Sequence, residues 1–174
     1  MTRPTSDRVK ESLFNILAPI IHEKSFLDLF AGTGSIGIEA LSRGASYATF
    51  VYKSAACTVV INRNLINTKL IERAKILTCD VHAYLEGEKT GLIYDIVFMD
   101  PPYGKNLVEK TLKYLINNGI IDKNGLVIAE HDVEDKVPSM VGTFTLYRSH
   151  RIGDTVISIY MIHDQGGQAE GDIN

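Results

Sequence analysis

The sequence predicts an α/β fold: a mostly parallel sheet with helices on both faces and an antiparallel hairpin at its C-terminal end. Three observations carry this expectation. Short apolar runs alternate with longer stretches of helical periodicity from residue 25 to residue 130, the order that right-handed βαβ units produce. Several of the runs, such as Ile96-Val97-Phe98-Met99, are continuously apolar, as strands buried on both faces are. Beyond Pro138 two β-rich runs, 143–151 and 155–163, stand side by side and are joined through Ile152-Gly153-Asp154, which reads as a hairpin.

The chain opens with a helix expected over residues 5–21, where Thr5, Ser6 or Asp7 can cap and Val9, Leu13, Ile16, Leu17 and Ile20 form the apolar stripe. Arg8, Lys10 and Glu11 lie off that stripe, as a solvated face does. A strand over 25–30 carries Asp28 and runs into Ala31-Gly32-Thr33-Gly34-Ser35-Ile36-Gly37, after which a helix continues over 38–43 and Gly44 stops it. Further strands are expected over 47–52, 74–77, 93–99 and 125–130. Helices are expected over 55–69, 81–85 and 107–117, with Asp80 able to cap the second and Gly119 ending the third. Residues 1–163 read as one domain, while the tail over 164–174 is Gly, Gln and acid with nothing to bury and is expected to be disordered.

Composition narrows the function classes. Apolar residues make up 45% of the chain and charged residues 22%, with no apolar run as long as a membrane span. Met1-Thr2-Arg3-Pro4 leads straight into a polar, cap-rich segment, so no signal peptide and a cytoplasmic location are expected. Cys57 and Cys79 have neither metal nor disulfide spacing, and His22, His82, His131, His150 and His163 are scattered, so no metal is expected. The net charge is −3, and Asp164, Glu170 and Asp172 of the tail account for all of it. A neutral body counts mildly against a large nucleic-acid footprint and leaves room for a local basic patch.

Two stretches carry chemistry. In Asp100-Pro101-Pro102-Tyr103-Gly104 two successive prolines fix φ and remove donors, leaving a stiff loop rich in acceptors. Asp100 and the carbonyls of Asp100 and Pro101 can accept from an NH2 group, and Tyr103 can stack on a flat ring; the bland alternative is an ordinary turn with a surface tyrosine. Gly32, Gly34 and Gly37 satisfy G-x-G-x-x-G directly after a strand, the setting in which such a turn brings a ligand to the amides of a helix N-terminus. A dinucleotide would want an acid at the end of the second strand, where Tyr52, Lys53 and Ser54 stand. S-adenosylmethionine fits more of the chain: Asp28 could neutralise its ammonium, Asp80 could reach its adenine amine, and its methyl would face the Asp100 loop. Capping roles for Asp28 and Asp80 are the alternatives.

Taken together, Arg3-Pro4-Thr5-Ser6-Asp7-Arg8-Val9-Lys10-Glu11-Ser12-Leu13-Phe14, Asp28-Leu29-Phe30-Ala31-Gly32-Thr33-Gly34, Glu39-Ala40-Leu41-Ser42-Arg43-Gly44-Ala45, Met99-Asp100-Pro101-Pro102-Tyr103 and Arg151-Ile152-Gly153-Asp154-Thr155 resemble the bacterial small-subunit ribosomal RNA guanine-N2 methyltransferases. The resemblance implies a Rossmann-like class I methyltransferase fold with a seven-stranded sheet, S-adenosylmethionine as donor, and the exocyclic amine of a guanine in 16S ribosomal RNA as acceptor. It further implies that Asp100, Pro101, Pro102 and Tyr103 are catalytic and that Asp28, Phe30, Ala31, Gly32, Thr33, Gly34, Tyr52, Lys53, Asp80 and Val81 bind the cofactor. Arg3, Thr5, Arg8 and Tyr103 would meet the RNA. The implied partner is 16S ribosomal RNA or the assembling small subunit, with no membrane or metal involved, and the chain is expected to act as a monomer.

The chain departs from the family in opening almost at the Arg-Pro-Thr segment, without the basic hairpin that usually precedes it, and in Tyr52 and Ser54 where the family has Glu and Asp. The competing readings are an adenine-N6 methyltransferase and a catalytically weakened RNA-binding module.

Overall fold

The computed structural model describes residues 6–87, 91–104 and 106–163. The first five residues, with Arg3 and Thr5, and the tail over 164–174 lie outside the described residues. The strands are β1 (Ser25–Leu29), β2 (Tyr47–Tyr52), β3 (Ala74–Thr78), β4 (Tyr94–Met99), β5 (Ile121–Asp132), β6 (Met140–Val141), β7 (Phe144–Ile152) and β8 (Thr155–Ile162), and the helices are α1 (Asp7–Leu17), α2 (Ser35–Ser42), α3 (Ala55–Asn67), α4 (Val81–Glu86) and α5 (Leu107–Asn118). All strands join one sheet in the order β3-β2-β1-β4-β5-β8-β7-β6. Strands β1 to β5 pair in parallel, and β8, β7 and β6 continue antiparallel. The α/β class and the antiparallel hairpin are those the sequence predicts.

The chain runs outward from β1 through β2 to β3 and then returns to place β4 on the other side of β1. The loops leaving β1 and β4 therefore diverge to opposite faces, which opens a crevice at the strands' C-terminal ends. Each face has its own core. One face, with Phe26, Phe50, Ile96, Phe98, Ile128 and Ile157, is covered by α1, α2 and α3. The other, with Leu27, Val51, Val97, Met99, Val127 and Tyr160, is covered by α4 and α5. Because side chains alternate along a strand, Asp28 falls on the first face, between Phe26 and the start of α2.

Several boundaries differ from the expectation, each for a local reason. The helix expected over 5–21 stops at Leu17: Ala18 donates the last bond, to Phe14 O, and Pro19 has no N–H with which to continue. At its start Ser6 Oγ accepts from Val9 N at 3.3 Å. Helix α2 begins at Ser35, because Gly34 at φ +79° turns the chain into it. The sheet has eight strands instead of seven, the extra one being the two-residue β6. The predicted hairpin is present, with Ile152 opposite Thr155 and Gly153 at φ +63° in the two-residue turn.

Gly37 fixes how closely α2 lies on the sheet. A Cβ there would stand 2.7 Å from Phe50 Cζ and 3.1 Å from Asp28 Oδ2, and the Phe50 ring is fully buried with nowhere to move. Its N–H belongs to the first turn of α2, where no intrahelical acceptor exists; it donates instead to Asp28 Oδ2 at 2.9 Å. Gly37→Ala is therefore expected to cost about 1–3 kcal/mol by overpacking, read as a lower denaturant midpoint at unchanged slope. A midpoint equal to wild type would show that α2 has room to move away from β1.

Candidate active site

The ends of β1, β2, β3 and β4 surround a cleft of about 410 Å³, inside the range of small-molecule sites. The glycine turn supplies one wall through Phe30, Ala31, Gly32 and Thr33. Phe30, at φ +61°, holds a left-handed conformation that a bulky residue rarely adopts, and this bends the chain sharply as it leaves β1. Gly34 is buried behind the turn and does not face the cleft.

Tyr52 and Lys53 line the cleft from the end of β2, and Asp80 and Val81 line it from the start of α4. Asp80 is the cap of that helix, its Oδ1 accepting from His82 N at 2.8 Å and Ala83 N at 3.2 Å. Capping occupies one oxygen, and the residue still borders the cleft. The structure also adds Ser35, Ile36, Cys57, His82, Phe98 and Leu107 to the lining, none of them singled out by sequence. His82 stands edge-on to Phe30 at 6.2 Å and its Nε2 lies 3.1 Å from Thr111 Oγ1. Burial, reinforced by Lys110, pushes its imidazole below the usual histidine range, against the pull of Asp80 and Glu86.

The loop after β4 behaves as its prolines dictate. Asp100 and Pro102 border the cleft, while Pro101 is buried and Tyr103 is 42% exposed beside the opening. Behind the loop, Pro101, Pro102, His131 and Val137 enclose a space of about 20 Å³, room for a single water. Arg8 is exposed on α1 and does not line the cleft.

The electrostatic centre is a group of carboxyls that sequence reading only partly identifies. Asp28 is 1% exposed and accepts one bond, from Gly37; burial raises its carboxyl to about 7. Asp100 is raised to about 8, first by burial and then by the charges of Glu130 and Asp28. Glu130 is 3% exposed on β5, and the register explains its proximity. Met99 pairs with Ala129, so the next step along both strands sets Asp100 beside Glu130, and the two-residue repeat puts both on the face of Phe98 and Ile128. No sequence motif marks Glu130; it could have been found only by knowing which strand lies next to β4.

Among the described residues, no cluster of three or more His, Cys, Asp or Glu is arranged to hold a metal ion, and no helix is long and apolar enough to cross a membrane. Cys57 and Cys79 are free thiols.

Comparison with known proteins places this geometry among relatives. The family model described as conserved hypothetical protein 95 matches residues 1–161. Ribosomal RNA small subunit methyltransferase D of Escherichia coli (strain K12) is 36% identical over 164 residues, which is 94% of this chain and 81% of that protein. The protein of the same name in Haemophilus influenzae is 36% identical over 159 residues, 91% of this chain and 82% of that protein. The solved structure of yhhF from Escherichia coli superposes with a TM-score of 0.83 at 36% identity, covering 94% of this chain and 88% of that one.

The raised carboxyls predict how the free protein responds to pH. In the unfolded chain both groups ionise near the ordinary value of 3.8, and in the fold only at about 7 and 8. Between these limits the native state binds more protons, so these groups make stability fall as pH rises from about 4 to 8. Asp28→Asn keeps an acceptor for Gly37 N–H and removes the buried charge. Its melting temperature relative to wild type should therefore be higher at pH 8 than at pH 5.5, and a difference independent of pH would mean that Asp28 is ionised throughout.

Proposed function

The chain belongs to the family described as conserved hypothetical protein 95, and on that premise we propose that it methylates the exocyclic N2 amine of a guanine in small-subunit ribosomal RNA, with S-adenosylmethionine as donor. The observation that carries this reading is the placement of Asp100, Pro101 and Pro102 at the end of β4, next to β1 and its glycine turn, on the rim of one cleft. The fold is that of class I methyltransferases, and the relatives named above are ribosomal RNA methyltransferases.

The residues present fit the donor. A buried carboxyl at the floor of the cleft needs a cation to ionise without cost, and Asp28 would meet the ammonium of the methionine end. The turn over Ala31, Gly32 and Thr33 presents backbone to the carboxylate, as helix N-termini do for anions. Tyr52 and Lys53 stand where the ribose would lie, and Asp80 with Val81 where the adenine would. When bound, S-adenosylmethionine supplies an electrophilic methyl group carried on a sulfonium.

On the acceptor side, Tyr103 offers a ring on which a flipped-out guanine stacks. The Asp100 carboxylate and the Pro101 carbonyl accept from the two amine hydrogens. This matters because a guanine amine donates its lone pair to the ring, and acceptors on both hydrogens favour the pyramidal form that can attack. Orientation by a rigid loop and a field aimed at the developing charge then carry most of the rate. Arg3, Thr5 and Arg8 are assigned to contact the RNA.

Incubation with labelled donor, either with small subunits that lack the modification or with duplex DNA, is expected to label N2-methylguanine in the RNA alone; N6-methyladenine in the DNA would support the adenine reading instead. Asp100→Ala should lower kcat by at least about 10²-fold while the protein stays folded, and turnover close to wild type would refute the assigned role. Tyr52→Glu supplies a charged partner for the ribose hydroxyls and is expected to tighten donor binding by roughly tenfold. Unchanged affinity in titration calorimetry would mean that Tyr52 does not face the ribose.

A further inference from the structure

The neutral body of the chain leaves room for a local basic patch, and the hairpin motif Arg151-Ile152-Gly153-Asp154-Thr155 stands apart from the cleft: none of the described residues of β7 or β8 lines it. Strand β7 carries Arg148, His150 and Arg151, with no acid between Phe144 and Ile152. Beside them stands Tyr147, 68% exposed.

Strand β7 has one side open. β8 pairs with it from Phe144 to Ile152, while β6 covers only Phe144 and Thr145. Among the described residues, no strand pairs with the outer edge from Tyr147 to Ile152. The register distributes the side chains around that edge. Leu146 sits opposite Tyr160 and Arg148 opposite Ile159, so Tyr147 is the extra residue of a bulge, a device that re-aims a side chain. Residues opposite one another share a face. Arg148 therefore emerges on the side of Ile159, which belongs to the core under α1, and Arg151, opposite Val156, emerges on the other side. Both are exposed. Arg151 Nε donates to Gly153 O at 2.8 Å, which holds its guanidinium beside the turn.

This edge ends where the cleft opens. Thr155, just past the hairpin turn, pairs with Asp132 at the end of β5, and Met99, just before Asp100, pairs with Ala129 of the same strand. The turn and the Asp100 loop thus leave the same end of the sheet. The order β4-β5-β8-β7 sets three strand spacings, about 14 Å in all, between the Asp100 strand and the edge. An RNA strand at a helical spacing of about 3.4 Å per nucleotide covers that in roughly four nucleotides.

We propose that the outer edge of β7, through Tyr147, Arg148 and Arg151, holds the RNA strand that flanks the target nucleotide, the two guanidinium groups against phosphates and the Tyr147 ring against a base. The inference rests on the RNA reading given above and deepens it by adding a docking surface outside the cleft. Guanidinium matches phosphate in a bidentate geometry, and an exposed ring stacks on any base. Such contacts position the RNA without reading its sequence. A peptide strand is the competing occupant of an open edge. The bulge and the two flanking charges oppose it, since each hinders strand addition.

Filter binding of labelled 16S ribosomal RNA freed of protein, from about 50 to about 200 mM salt, tests the edge. In a double variant, Arg148→Gln with Arg151→Gln, the slope of log affinity against log salt should fall by roughly 1.5 to 2, with at least about tenfold weaker binding at the lowest salt. Tyr147→Ala should weaken binding by about tenfold and leave the slope unchanged. Affinity for S-adenosylhomocysteine should be the same in all three proteins, because the cleft is untouched.

A double variant with the slope and affinity of wild type would overturn the edge. The same result with self-association of the variant would mean that the arginines only keep the edge unpaired. In wild type, bound RNA should slow amide hydrogen exchange over residues 147–152, and unchanged exchange would overturn the edge even if the variants prove unstable. Wild type that binds no 16S ribosomal RNA would sink the RNA reading itself, whereas binding that the double variant matches would sink the edge alone.

Discussion

One hydrogen bond organises the site: Gly37 N–H to Asp28 Oδ2 at 2.9 Å. Helix α2 has no capping side chain at Gly34, and its first-turn amides need acceptors. Asp28 supplies one from the strand below, nine residues earlier in the chain, and in doing so ties the glycine turn to the middle of the sheet. The bond requires a glycine at the donor, because any Cβ there meets the Phe50 ring. It also sets a carboxyl group where there is almost no exposure, and ionising it there is costly until a cation arrives. Local stability and ligand demand are therefore set by the same side chain.

The two faces of the sheet divide the work. The face under α4 and α5 is almost wholly apolar and holds the strands in register. The face under α1, α2 and α3 is equally well packed along its length, but at the C-terminal ends of β1, β4 and β5 it carries Asp28, Asp100 and Glu130. Acids gathered in this way are destabilising by themselves, and such local cost is tolerated where binding relieves it. The prolines after Asp100 serve the same arrangement, since a loop that cannot flex keeps its carboxyl close to its neighbours instead of swinging out to water.

Much of this was legible in the sequence. The parallel strands announce themselves as apolar runs, because burial on both faces leaves no room for polar alternation. The glycine turn and the Asp100 loop are legible because their chemistry is contiguous along the chain, and the residues from Phe30 to Thr33, with Tyr52, Lys53 and Asp80, do meet in one cleft. Whatever depends on lateral neighbours was not legible. Glu130 sits in an ordinary strand ending, and only the order β1-β4-β5 and the register of Met99 with Ala129 turn it into the neighbour of Asp100. His82 and Cys57 were hidden for the same reason. The apolar periodicity continues through Ile20, past the point where Pro19 ends α1 at Leu17. The two-residue β6 is too short to carry any pattern.

The central claim is that the buried carboxyls of Asp28 and Asp100 stay partly protonated near neutrality until a cationic ligand is bound. A titration of the carboxyl carbons by ¹³C NMR in the free protein tests it most directly, with Asp28→Asn and Asp100→Asn to assign the signals. The account predicts midpoints near 7 for Asp28 and 8 for Asp100, the latter falling when Glu130 is replaced by glutamine. Midpoints near 4 for both groups, the ordinary carboxylate range, would contradict it.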